Sequence, residues 1–211
     1  MKTMKSKTRR NGGNGQARGP TWDIAQLYPE QGQWDGDEYL ALPGNRLIEY
    51  SDGFLEFLPM PTSMHQWIVL FLWKSLEHFA GGWVGLGLAL LAPLPIKLWA
   101  GKFREPDIAF MLTENKHRVL DEYWEGADLA MEIVSDDSEA RKRDLVTKRG
   151  EYARARIGEY WIIEPKLKQI TVLRLKGRAY EVHGVFKTGQ KATSRLLPGF
   201  EVDVSAVFAG P

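Results

Sequence analysis

The chain has 211 residues, 44% of them hydrophobic and 26% charged, with a formal net charge of +1. That length can bury a substantial core, and the near-neutral balance argues against polyanion binding by the whole surface while allowing a local basic patch. There is no cysteine, which excludes disulfides, cysteine-based zinc sites and cysteine nucleophiles and fits a reducing, cytoplasmic setting.

Residues 1–20, MKTMKSKTRRNGGNGQARGP, are basic, Gly-rich and nearly free of apolar side chains. They lack the hydrophobic core of a secretion signal and read as a disordered tail, either a solvated leader or a weak phosphate-binding arm. Residues 21–211 read as one domain. The longest apolar stretch, Gly81 to Pro95, is broken by Gly and Pro and is too short to span a bilayer, so no membrane association is expected.

After a helix-and-loop entry, Leu47 to Tyr50 and Phe54 to Leu58 flank a Ser-Asp-Gly turn and predict a β-hairpin ended by Pro59. Thr62 or Ser63 can cap a helix running to about Phe79, which Gly81 and Gly82 stop. Strands are expected around Trp83 to Leu91, Ile96 to Trp99 and Ile108 to Leu112, the last entered through Pro106 and Asp107. A charged loop, TENKHRVLDEYWEGA, leads into the strand DLAMEIVS. The cluster Ser135-Asp136-Asp137-Ser138 then caps a helix from Glu139 to about Arg156, with Gly158 at its end. A strand EYWII, a hairpin ITVLRL/AYEVH and a closing strand or edge segment complete the chain. Strand–helix–strand over 129–163 predicts a crossover and a locally parallel pair, whereas the hairpins predict antiparallel pairing. The expected fold is mixed α+β: a mixed sheet flanked by helices, with a terminal β-hairpin.

Glu132 stands in the middle of an apolar strand, where an unpaired carboxylate is costly. Period-two alternation puts Leu129, Met131 and Ile133 on one face, and Ala130, Glu132 and Val134 on the other. Taken alone, Glu132 fits an ion pair with an arginine of the following helix. Asp107, at the mouth of another buried strand, could approach it, and like charges that close need a shared proton or a cation. A hard cation such as Mg²⁺, binding one or two carboxylates and leaving room for substrate phosphate, answers that need. Along the next helix, Arg141, Leu145, Lys148 and Tyr152 recur on one face. Glu132 lies about 10 Å before its strand's end at roughly 3.3 Å per residue, and Lys148 about 15 Å into the helix at roughly 1.5 Å per residue. A lysine leaning toward the helix N-terminus can therefore reach Glu132, where it would orient a water or neutralise a phosphate oxygen. Alternatively, Lys148 joins Lys142, Arg143 and Arg149 on a solvated basic face.

Pro106-Asp107, then EIVS at 132–135, Lys148, Tyr152 and GEYWIIEP at 158–165 resemble the bacterial restriction-endonuclease family of Uma type, within the PD-(D/E)XK nuclease superfamily. The resemblance extends upstream through IEYSDGFLEFLPMPTSMHQWIV and covers about Asp37 to Phe208. It implies a restriction-endonuclease-like core and hydrolysis of DNA phosphodiesters dependent on Mg²⁺ or Mn²⁺. Asp107, Glu132 and the backbone carbonyl of Ile133 would be the metal ligands. Lys148 would replace the lysine that the superfamily pattern puts at position 134, here Val134. Tyr152 would hydrogen-bond a carboxylate or phosphate, or else pack. Many relatives carry an acid after the Asp-Gly turn, where this chain has Phe54, and Glu56 could take that role. His65 would serve the site or simply cap and pack. Arg141, Lys142, Arg143 and Arg149 would bind the DNA backbone, and two-strand cutting would suit a homodimer. The alternative is a non-catalytic nucleic-acid or protein interaction module on the same fold. A hydrolase of another phosphoester is also open, but no Walker-type loop, Ser-His-Asp order or HExxH helix is present.

Overall fold

A computed structural model of the chain describes residues 28–43, 47–135 and 137–210. The expected basic tail, the first residues of the entry segment and Asp136 of the capping cluster lie outside them. In chain order the elements are α1 (Gly36–Leu40), β1 (Ile48–Ser51), β2 (Phe54–Phe57), α2 (Ser63–Ala80), β3 (Gly87–Leu91), β4 (Ile96–Trp99), β5 (Lys102–Arg104) and β6 (Ile108–Leu112). They continue with β7 (Trp124–Glu125), β8 (Leu129–Ile133), α3 (Ser138–Lys142), a π-helical segment (Arg143–Lys148), α4 (Arg149–Arg154) and β9 (Glu159–Glu164). The chain then forms β10 (Gln169–Lys176), β11 (Ala179–Lys187), β12 (Lys191–Thr193), β13 (Glu201–Asp203) and α5 (Val204–Val207).

The main sheet runs β11-β10-β9-β8-β6-β3. It is mixed: β8 and β9 pair in parallel, and the other neighbours are antiparallel. The parallel pair is the one required by the crossover through α3, the π-helical segment and α4. A second sheet, β2-β1-β5-β4-β7, and the pair β12-β13 complete the described strands. Two short strands, β5 and β7, fall in segments that the sequence pattern marked as turn and loop. Each has three residues or fewer, too short a run for alternation to be visible.

Alternation along β8 divides the core as its sequence predicts. Leu129, Met131 and Ile133 pack with Ile108, Phe110, Trp161 and Ile163 beneath Ile68, Leu72 and Leu76 of α2. Ala130 and Val134 face the other way with Ala109, Ile162, Tyr160 and the crossover-helix residues Tyr152 and Ala153. The main sheet is thus covered on both faces by helix. A third cluster, Trp34, Tyr39, Tyr50, Leu55 and Phe103, seals α1 onto the smaller sheet.

One helix keeps its expected ends and one does not. The Thr62 side chain accepts from His65 N and caps α2, and Gly81 closes that helix in the left-handed region at φ 71. The crossover helix, in contrast, ends at Arg154, and Arg156 takes the left-handed conformation (φ 66) that its sequence assigns to Gly158. Gly158 serves a close approach: a Cβ there would stand 3.2 Å from the Asp128 carbonyl at the start of β8. No helix among the described residues is long and apolar enough to cross a membrane.

Candidate active site

The register between β6 and β8, with Ile108 opposite Met131, brings Asp107 beside the end of β8, on the same face as Glu132. Asp107 Oδ2 accepts from the backbone N of Ile133 at 2.7 Å, which pins the carboxylate to the strand carrying Glu132. Both acids line a cleft of about 460 Å³ between the sheet, the N-terminus of α2 and the crossover helix.

The crossover helix answers Glu132 as its spacing predicts. Lys148 Nζ donates to Glu132 Oε1 at 2.8 Å, and the Tyr152 hydroxyl donates to the same oxygen at 2.6 Å. All three side chains are buried. What the pattern did not predict is the π-helical turn between them. The wider turn places Asp144 and Lys148 together on the sheet side, and the Tyr160 hydroxyl donates to the Asp144 carbonyl at 3.0 Å. Such turns recur where a helix must aim side chains at a site.

Lys148 meets three carboxylates: Glu132 at 2.8 Å, Glu49 at 3.0 Å and Asp144 at 3.6 Å. Burial opposes its charge, but these acids hold it well above the usual lysine range, so the ammonium stays charged. Burial would raise Glu49, yet Lys148 and Arg104 bring it down to about 2. Glu132 moves the other way. Burial pushes it up and Lys148 pulls against that, while Asp144, Asp107 and Glu49 add to the rise and leave it at about 8. Asp144 is raised by burial against the pull of Lys148 and Arg143, with Asp107 and Glu49 adding to the rise. The acids thus exceed what one lysine neutralises, a surplus that a proton or a divalent cation would relieve.

His65 lines the same cleft, beside Asp107. Its Nε2 lies 3.2 Å from Asp107 Oδ1, and its ring lines the cleft. Burial would lower its pKa, but the Asp107 carboxylate raises it above the usual histidine range. Capping of α2 falls to Thr62 instead.

Glu56 is placed differently. It stands directly across from Glu49 in the β1–β2 hairpin, so two like charges face each other. Arg104 Nη1 sits between them, 2.6 Å from Glu49 and 2.7 Å from Glu56. Glu56 is held there and is not part of the cleft lining, whereas Glu49 extends to Lys148. Glu49 is the acid that sequence reasoning missed. Its signal was the one that marked Glu132, a lone carboxylate within an apolar strand, here LIEY. Asp144 carried a signal too, standing four residues before Lys148 on the same helix face.

Of the four basic residues expected to meet a phosphate backbone, only Arg143 lines the cleft. Arg141 pairs with Glu164, and Arg149 donates to the Tyr180 carbonyl at 3.4 Å. Lys142 is exposed.

Among the described residues, no three His, Cys, Asp or Glu side chains are arranged to hold a metal ion. The donors present are two adjacent carboxylates amid surplus negative charge. That set fits a hard cation completing its shell with water and phosphate oxygens, and does not fit a closed zinc cage.

Comparison with solved structures places the chain near a protein from Anabaena variabilis described as a "putative nuclease belonging to DUF820". The TM-score is 0.67 at 19% identity, covering 83% of this chain and 98% of that one. The likeness establishes a restriction-endonuclease-like fold. Comparison with curated proteins finds no match. A family model, Uma2, described as "Putative restriction endonuclease", matches residues 37–205. The chain belongs to that family.

Proposed function

We propose that the protein is a divalent-metal-dependent DNA endonuclease whose centre is Asp107, Glu132 and Lys148. The observation that carries the reading is the convergence, at the floor of one cleft, of two adjacent carboxylates and a buried ammonium 2.8 Å from one of them. Family membership and fold support it. Asp107, Glu132 and the backbone carbonyl of Ile133 would hold Mg²⁺ or Mn²⁺. Once bound, such a cation supplies Lewis-acid polarisation of a phosphate and a more acidic water.

The chain's own residues do the rest. Lys148 presents a fixed positive charge beside the reacting phosphate and favours the negative charge that grows on its oxygens during attack. It is held charged, so it stabilises charge and does not abstract a proton. Tyr152 stays a neutral donor, because burial and the charge of Glu132 raise its pKa well above the usual tyrosine value. It fixes the Glu132 rotamer from behind. His65 orients Asp107 in the same way from the other side. Arg143, at the cleft wall, would take a neighbouring phosphate, a contact that gives affinity without base readout. Arg141, Lys142 and Arg149 would act only on DNA extending past the cleft.

Calorimetric titration with Mn²⁺ tests the metal site separately from cleavage. Wild type is expected to bind the ion, and Glu132→Gln is expected to bind it at least about tenfold more weakly, since the loss of even an outer-shell partner of a ligand costs that much. Equal binding by both proteins, or none by either even with DNA present, would overturn the assignment.

A further inference from the structure

The cleft has a wall that hydrolysis alone does not explain. The segment that joins β2 to α2 runs Leu58-Pro59-Met60-Pro61, and Met64 follows in the first turn of the helix. All five residues line the cleft. Met60 is 79% exposed and Met64 is 40% exposed, although both are apolar. Pro59 and Pro61 bracket Met60 and fix the backbone on either side, so the lip keeps its place while the unbranched thioether can adapt to what it meets. Arg143 and Lys166 line the same cleft. One cleft therefore offers cations, carboxylates at its floor and an apolar lip.

Resting on the nuclease reading, we propose that this lip is a subsite for an unpaired nucleobase, and that the protein selects single-stranded or frayed DNA over intact duplex. The acids fix where the scissile phosphate must sit, and the cations receive the flanking phosphate. What remains next to the lip is the substituent of the adjoining sugar. In a paired duplex the bases turn inward to the opposite strand, and a protein approaching the phosphates meets only sugar and backbone. A base free of its partner can swing outward and lay its π-face on the lip. Methionine sulfur packs well against an aromatic ring, and Met, Leu and Pro are side chains that cover bases exposed by unstacking. A wall built to grip a duplex backbone would carry basic and hydroxyl side chains here instead.

The test is equilibrium binding, with Ca²⁺ present, of a labelled 15-nucleotide single strand containing 2-aminopurine, alongside its blunt duplex. The partners are the full chain and the double variant Met60→Ala/Met64→Ala. Both positions are solvent-exposed, so circular dichroism and melting are expected to match wild type. We expect the single strand to bind wild type about tenfold more tightly than the duplex, with 2-aminopurine emission rising as the base leaves its stacked neighbours for the lip. In the double variant the single strand should loosen about five- to tenfold and lose the rise in emission, while duplex binding stays the same. Equal or tighter duplex binding by wild type, or an unchanged single-strand affinity in the variant, overturns the proposal. The two readings separate cleanly. Cleavage of duplex and single strand at equal rates, abolished by Asp107→Ala, removes the subsite and leaves the nuclease. Strand-selective binding that depends on Met60 and Met64, without metal-dependent cleavage, keeps the subsite and removes the nuclease.

Discussion

Lys148 is the residue on which structure and chemistry depend together. It is almost fully buried among Glu49, Glu132 and Asp144, and among the described residues no other lysine touches all three. Replacing it with methionine preserves volume but leaves those carboxylates without their cation. We expect Lys148→Met to lose about 3–5 kcal/mol of stability in denaturant melts, the range for breaking one side of a buried pair. Any cleavage should fall by about 10²–10³-fold, as when one preorganised charge donor is removed. Glu132→Gln separates the two effects. The amide oxygen can still accept from Tyr152, and the charge surplus is reduced, so its stability at pH 8 should equal or exceed that of wild type while cleavage is lost. A variant that is less stable than wild type and still cleaves would contradict this account of the cluster.

At the level of elements, the strands of the main sheet and the two long helical segments were legible in the sequence because each is a strongly periodic run. The β8 alternation and the Lys148/Tyr152 stripe led directly to the observed contacts. Three features were hidden for physical reasons. The π-helical turn leaves no trace in apolar spacing, since it alters the backbone ladder and not the side-chain pattern. Glu49 was hidden because its partner Arg104 is distant in sequence and lies in a three-residue strand. The exchange of Gly158 for Arg156 at the helix end follows from packing against Asp128, which a local capping rule cannot see. The α2 N-terminus offers a test at this scale. Thr62→Ala removes the cap that accepts from His65 N and should cost about 1 kcal/mol. Loosening His65 above Asp107 should also lower cleavage more than that stability loss explains; an unchanged rate would show that the histidine's position is not set by the cap.

Across the whole molecule, Arg104 joins the smaller sheet to the crossover helix. Its guanidinium contacts Glu49 and Glu56 on the hairpin and Glu151 of α4, the last at 2.8 Å. Lys102 reinforces the connection at 2.7 Å from Glu151. Arg104→Met should therefore destabilise the protein by about 3–5 kcal/mol, chiefly by leaving Lys148 as the remaining cation beside buried Glu49 and by taking the guanidinium away from Glu151. The pH dependence follows from the same charges. Glu132 has a folded value near 8 against an ordinary 4.5, so the folded state holds a proton that the unfolded chain has released. Stability contributed by that proton is present below about 4.5 and is lost as the pH rises toward about 8. His65, raised by Asp107, contributes in the same direction. Glu49 runs oppositely: its contribution is present above 4.5 and is lost as the pH falls through about 2. The melting temperature should accordingly decline from pH 5 to pH 8, with a shallower slope in Glu132→Gln. A rise over that range, or an unchanged slope in the variant, would contradict the charge surplus.

The central claim is that Asp107, Glu132 and Lys148 form a phosphodiester-hydrolysing centre. The most direct measurement is cleavage of supercoiled plasmid and of single-stranded DNA with Mg²⁺ or Mn²⁺, comparing wild type with Asp107→Ala purified identically. The account predicts metal-dependent cutting by wild type, suppressed by chelator and lost in Asp107→Ala. Equal cutting by the two proteins, or none by wild type with either ion on either substrate, would contradict it.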